Sequence, residues 1–146
     1  MPSLAAQPAP FIFAQLKMML EGKRKIDAMQ PVMPEFSEAN IRIYAEKISK
    51  LPKPPAPASA PNDMARYDRG QKLAAASRCA NCHNNDFSGA GTNPSLARQR
   101  DDYLVKALRD YKSGARVDAG GIMVASVKDL KDSDFIDLAY YLANLR

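Results

Sequence analysis

Apolar positions recur at helical spacing through most of this chain. Phe135, Leu138, Leu142 and Leu145 follow i, i+3, i+7, i+10, the period of one buried helix face, and predict a last helix over about Ser133 to Leu145. Ile41, Tyr44, Ile48 and Leu51 repeat that spacing in the same register. Leu104, Leu108 and Tyr111 form a third stripe, which places a helix over about Asp102 to Lys112, with Asp101 as N-cap and Gly114 at the C′ position. A helix from about Met64 to Ser77 is expected behind an Asp63 N-cap. From His83 to about Gln99, Gly89, Gly91 and Pro94 forbid regular structure, and Val117 to Leu130, with Gly120-Gly121, reads as loop. No strand pattern competes, so the expected class is all-α.

The pattern is duplicated. Pro2-Ser3-Leu4-Ala5-Ala6-Gln7 recurs as Pro94-Ser95-Leu96-Ala97-Arg98-Gln99, an offset of 92 (94 − 2). Phe11 then matches Tyr103, Gly22 matches Gly114 and Arg24 matches Arg116. Two residues are gained in the second copy, and from there the offset is 94 (123 − 29): Met29 matches Met123, Phe36 matches Leu130 and Leu51 matches Leu145. Between the copies lies a Pro/Ala-rich stretch without periodicity, read as an extended spacer. The expected organisation is an incomplete half-domain over 1–51, a linker over 52–61 and a complete domain over 62–146. In the second copy 28 residues separate Arg66 from Pro94 (94 − 66), whereas Met1 alone precedes Pro2 in the first. Two explanations are open: a natural N-terminus longer than the one given, or a genuine half-domain serving as a docking or dimerising surface.

Composition changes this picture little. A chain of 146 residues with 46% hydrophobic and 25% charged residues is an ordinary globular one. Its net charge of +5 comes from Lys and Arg interspersed with Asp and Glu, so nucleic acid is not the natural partner. No run of about 18 apolar residues is present, so no transmembrane segment is expected. Residues 1–20 are apolar-rich, yet they lack a basic n-region, and Gln7, Pro8, Pro10 and Gln15 interrupt any signal-peptide core.

The chemistry is concentrated at Cys79-Ala80-Asn81-Cys82-His83, which holds both cysteines and the single histidine. C-x-x-C-H is the signature for covalent c-type haem: each thiol adds to one vinyl group and the adjoining imidazole meets the iron. A structural zinc site wants four Cys/His ligands and this chain offers three. Nothing reads as the βαβ setting of a thioredoxin-type pair. One haem c per chain is expected, a second only if the natural N-terminus is longer. Attachment of c-type haem outside the bacterial cytoplasm implies the periplasm and a leader not present in this sequence. His83 is the expected fifth ligand. The sixth is open among the methionines, a lysine, water or nothing. Met123 is favoured over Met64, because it lies in a Gly-Gly-Ile-Met loop 40 residues after His83 (123 − 83), where glycines let the backbone approach a flat ligand. Pro94 is placed under the imidazole, its carbonyl accepting the free N–H, and Arg98, Tyr103 and Arg116 are candidates to meet the propionates. A haem enzyme such as a peroxidase wants a distal acid–base group, and no second histidine exists to supply one.

With these residues in hand, the second copy resembles class I c-type cytochromes, and within them the dihaem c4 group of tandem domains. The resemblance rests on the C-x-x-C-H motif, Pro94-Ser95-Leu96-Ala97 followed by Gln99, Gly114-Ala115-Arg116, and Met123 seven residues before Leu130 (130 − 123). It implies a helical fold wrapped on haem, with Pro94, Leu96, Arg98, Tyr103 and Arg116 in the haem environment, and periplasmic electron transfer without chemistry of its own. The implied partners are a redox donor and acceptor, among them a membrane oxidase or dehydrogenase. Dihaem cytochrome subunits of sulfide-oxidising flavocytochromes look similar, which gives the alternative of a non-catalytic subunit of a periplasmic oxidoreductase.

Overall fold

The protein, described by a computed structural model over residues 1–118 and 120–146, is helical throughout, and the described residues contain no strand beyond an isolated bridge between Ala90 and Asn93. The α-helices are α1 (Ala9–Leu20), α2 (Glu38–Ser49), α3 (Met64–Ala76), α4 (Ala80–His83), α5 (Asp101–Ser113), α6 (Ile122–Val127) and α7 (Asp132–Ala143). The duplication is visible in the backbone: α2 and α7 start and end at residues separated by 94 (132 − 38 and 143 − 49), and α1 and α5 start 92 apart (101 − 9). α1 packs on α2 as α5 packs on α7. No helix among the described residues is long and apolar enough to cross a membrane.

Local chemistry sets the helix ends. The Asp63 carboxylate accepts from the Arg66 N–H at 2.9 Å and starts α3. Asp101 is not the N-cap of α5: Arg100 holds that position without a side-chain bond, and Asp101 is the first helical residue. Instead Asp101 and Asp102 accept from the N–H groups of Asp102 and Tyr103, both at 2.7 Å, and put negative charge at the positive end of the helix. Gly114, at φ 76°, closes α5 in the left-handed conformation. The Val117–Leu130 segment is not all loop. Its middle forms α6, because the Asp118 carboxylate accepts from the N–H groups of both Ile122 (2.9 Å) and Met123 (3.2 Å), with left-handed Gly121 at the N-cap.

The core belongs to the C-terminal half. Ala74 of α3, Phe87, Ala97, Leu104 of α5, and Leu138, Ala139, Tyr141 and Leu142 of α7 form one cluster. Tyr111, Val127 and Phe135 form a second, with Leu108 and Leu130 packed against both. α3 and α7 cross at Gly70, where a Cβ would fall 2.2 Å from the Asp137 carbonyl oxygen. In the N-terminal half the buried face of α2 is Ile41 and Ala45. The expected stripe there is corrected, since Tyr44 (45%) and Leu51 (51%) are exposed.

The two halves meet across a pseudo-two-fold seam. Gln7 donates from Nε2 to the Ser95 carbonyl and accepts the Ser95 N–H at Oε1, both at 2.9 Å. Its repeat mate Gln99 does the same to Ser3, at 2.9 and 2.6 Å. The repeated Pro-Ser-Leu-Ala-x-Gln motif is therefore self-complementary, each copy gripping the backbone of the other.

Candidate functional site

α3 ends at Ser77, and Arg78, in the left-handed region at φ 54°, redirects the chain into α4. This single turn carries the whole motif. The N–H groups of Cys82 and His83 donate to the Cys79 carbonyl at 3.3 and 3.1 Å, which sets both cysteines and the histidine on successive edges of one turn. Both thiols are free. Cys79 packs against the main core cluster, and burial pushes its thiol up from the usual range. Cys82 is exposed. His83 is 4% exposed. Among the described residues no three His, Cys, Asp or Glu side chains converge on one metal position.

The loop after α4 folds back to hold the imidazole. Asn84 adopts φ 66°, and its side-chain amide donates to Ser88 Oγ and the Gly89 carbonyl, both at 3.0 Å. The Gly89 N–H returns to the His83 carbonyl at 2.9 Å. Pro94 then lies so close to Gly89 that a Cβ there would sit 2.4 Å from its carbonyl carbon. His83 Nδ1 is 2.8 Å from the Pro94 carbonyl oxygen. A carbonyl accepts and cannot donate, so Nδ1 carries the proton and Nε2 carries a lone pair. Burial also lowers the imidazole pKa, against the opposing bond to Pro94, which favours that neutral form.

Met123 stands at the start of α6, half-buried against Tyr111, Val127 and Phe135. Cys79 and Met123 thus flank two clusters that meet at Leu108 and Leu130. Met64, the competing methionine, is 49% exposed at the first residue of α3.

The remaining predicted residues divide. Tyr103 and Arg116 come together, with Arg116 Nη1 donating to the Tyr103 hydroxyl at 3.3 Å. Leu96 packs on the main core cluster. Arg98 is drawn elsewhere: its guanidinium donates to the carbonyls of Pro54 (3.2 Å) and Leu145 (3.3 Å), tying the linker to the C-terminus and leaving the Tyr103–Arg116 group without it. In its place stands Arg24 from the N-terminal half, which donates to the Tyr103 hydroxyl at 3.5 Å and to Gln15 Oε1. Arg116 donates to the same Gln15 oxygen at 3.0 Å and stacks over the Tyr111 ring at 4.7 Å. Among the described residues neither arginine has a carboxylate partner, and Arg116 Nε is buried without any acceptor. Burial, then the neighbouring Arg116, pulls Arg24 below the usual guanidinium range. Burial alone would raise the Tyr103 hydroxyl, but the charges of Arg116 and Arg24 outweigh it and hold the group below the usual phenol range. One buried and one half-buried cation with an orphaned donor fit an anionic occupant, and a haem propionate has that chemistry. The donor set fits the rest of a haem: two thiols, a neutral imidazole and a thioether. Gln7, Gln15 and Arg24 were not among the expected site residues; for Gln7 and Arg24 the one signal was their place in the repeat as mates of Gln99 and Arg116, and Gln15, which falls opposite Ala107, had none.

Comparison with known proteins agrees. Residues 67–146 match the family model described as cytochrome c. Cytochrome c-552 of Acidithiobacillus ferridurans is 30% identical over 154 aligned positions, covering 99% of this chain and 66% of that protein. The thiosulfate dehydrogenase electron acceptor of Thiomonas intermedia (strain K12) is 28% identical, covering 97% of this chain and 69% of that protein. This chain therefore spans about two thirds of the length of these two relatives. The cytochrome c4 structure of Acidithiobacillus ferrooxidans superposes with a TM-score of 0.82 at 28% identity, covering 99% of this chain and 88% of that one.

Proposed function

This chain belongs to the cytochrome c family, and on that footing we propose that it carries electrons in the periplasm through one covalently attached haem c, whose iron His83 and Met123 would hold. When bound, the haem supplies a one-electron ferric/ferrous couple. Cys79 and Cys82 would hold it by thioethers. The observation that carries the reading is the 2.8 Å contact between His83 Nδ1 and the Pro94 carbonyl, which leaves Nε2 available to the iron and fixes the ring plane. Arg116, Arg24 and Tyr103 offer donors for a propionate. The Met123 thioether, as a second ligand beside the His83 imidazole, would favour the ferrous state and raise the potential. We read 1–51 as a partial copy, 52–61 as linker and 62–146 as the haem-bearing unit.

Met123→Ala tests the ligand set. The expected result is a lower potential, loss of the ferric sulfur-to-iron charge-transfer band and carbon monoxide binding to the ferrous protein. An unchanged band would assign the sixth ligand elsewhere.

One relative's name favours a second reading, in which the chain is the non-catalytic cytochrome partner of a periplasmic oxidoreductase, as in a flavocytochrome c sulfide dehydrogenase or the thiosulfate dehydrogenase named for that relative. Co-purification of an oxidoreductase from the native host supports it, and a solitary carrier supports the first reading.

A further inference from the structure

We infer that Gln7, from the N-terminal half, is a positioning residue that sets the strength of the hydrogen bond on His83; this rests on the reading of His83 as an iron ligand. The connection is one peptide group. Its carbonyl belongs to Pro94 and accepts from His83 Nδ1 at 2.8 Å, while its N–H belongs to Ser95 and donates to Gln7 Oε1 at 2.9 Å. The amide is conjugated, so a hydrogen bond at the nitrogen draws electron density toward the oxygen and makes the carbonyl a better acceptor. Gln7 also donates to the Ser95 carbonyl, in the next peptide, at 2.9 Å, so its amide is seated on both sides of Ser95 and the Pro94–Ser95 peptide is held at its oxygen by His83 and at its nitrogen by Gln7. Gln7 and Ser95, each at 5% exposure, and His83 at 4% are shielded from water, with half-buried Pro94 between them. In that setting polarisation along a hydrogen-bond chain is not averaged away by solvent.

The backbone is bent to make the grip. Ala6 precedes Gln7 in the left-handed region at φ 55°, and Arg98 precedes Gln99 at φ 61°. Neither is glycine, and such a conformation is unfavourable for a residue with a Cβ. The same unfavourable turn at both repeat positions aims both glutamines at the opposite copy.

The symmetry supplies its own control. Gln99 grips the Ser3 backbone in the same way, and the peptide it polarises, Pro2–Ser3, faces no histidine of this chain, whose single histidine is His83. The two glutamines therefore contribute alike to the seam, and Gln7 alone acts on the site. A stronger acceptor makes the imidazole more basic and favours the ferric state, so loss of the Gln7 bond raises the potential.

The experiment compares Gln7→Leu with Gln99→Leu in the haem-loaded full chain. Reduction potentials are measured by spectroelectrochemistry, and the His83 Nδ1 proton by NMR of the ferrous protein. For Gln7→Leu the expected result is an upward potential shift equal to roughly a threefold change in the ferrous-to-ferric ratio at fixed poise, with an upfield move of the Nδ1 proton. Gln99→Leu is expected to move neither. Equal shifts in both variants would reduce Gln7 to a seam contact and overturn the inference, as would no shift in either. Should the Gln7 variant fail to fold, amide exchange in the unaltered protein decides: slow exchange at Ser95 supports the inference and rapid exchange overturns it. If His83→Ala leaves the spectrum of low-spin haem unchanged, the ligand reading itself falls. An intact His83-ligated haem with an unmoved Gln7→Leu potential sinks this inference alone.

Discussion

Pro94 is held from three directions: by Gly89 against its carbonyl carbon, by Gln7 through the next N–H, and by His83 at its oxygen. The closest of these contacts can be tested by one methyl group. At Gly89 a Cβ would fall 2.4 Å from the Pro94 carbonyl carbon and 2.5 Å from its oxygen, and the residue sits at φ +74°. Gly89→Ala is expected to cost about 1–3 kcal/mol through overpacking, with the left-handed penalty added. Denaturant unfolding of the holoprotein checks this, and an unchanged midpoint would show that Pro94 is free to shift. At this scale the sequence is eloquent where chemistry is contiguous. Cys79, Cys82 and His83 declare themselves because five successive residues carry the whole attachment motif. Gln7 and Arg24 are silent because their partners lie 88 (95 − 7) and 79 (103 − 24) residues away and a single side-chain bond leaves no periodicity.

Among the elements, the α3–α7 crossing frames the motif, since α4 follows directly from the end of α3. The crossing depends on Gly70, where a Cβ would meet the Asp137 carbonyl oxygen at 2.2 Å and Tyr141 Cβ at 2.6 Å, both on α7. Glycine inside a helix ordinarily costs about 1 kcal/mol relative to alanine, so Gly70→Ala would stabilise an isolated α3. In the folded protein the clash wins, and a net loss of roughly 1–3 kcal/mol is expected. Thermal unfolding reads it, and a raised Tm would mean the helices can part without penalty. α3, α5 and α7 were legible because each presents a cap signal or an apolar stripe over at least three turns. α6 was not, since its six residues are too few for periodicity and its start is held by Asp118 from outside the helix. The α2 stripe misled in its details. Ala45 takes the buried position beside Ile41, and Tyr44 turns out to stack on Phe36 at 5.4 Å.

For the molecule as a whole, the duplication explains the seam. Ser3 meets Gln99, the mate of Gln7, and Gln7 meets Ser95, the mate of Ser3, an isologous contact between unequal halves. Arg24 and Arg116, also mates, converge on Gln15 and Tyr103 with no carboxylate of the described chain between them. Two like charges brought together, one buried and one half-buried, repel, and an anion between them would relieve that repulsion. The neutral imidazole and this cation pair suit the same proposed group, an acidic iron porphyrin held at α4. The most direct test is the intact mass of the chain after denaturation, expressed in a host that matures c-type cytochromes. The account predicts one added haem that survives unfolding and maps to the peptide bearing Cys79 and Cys82. A chain recovered folded at its unmodified mass would contradict it.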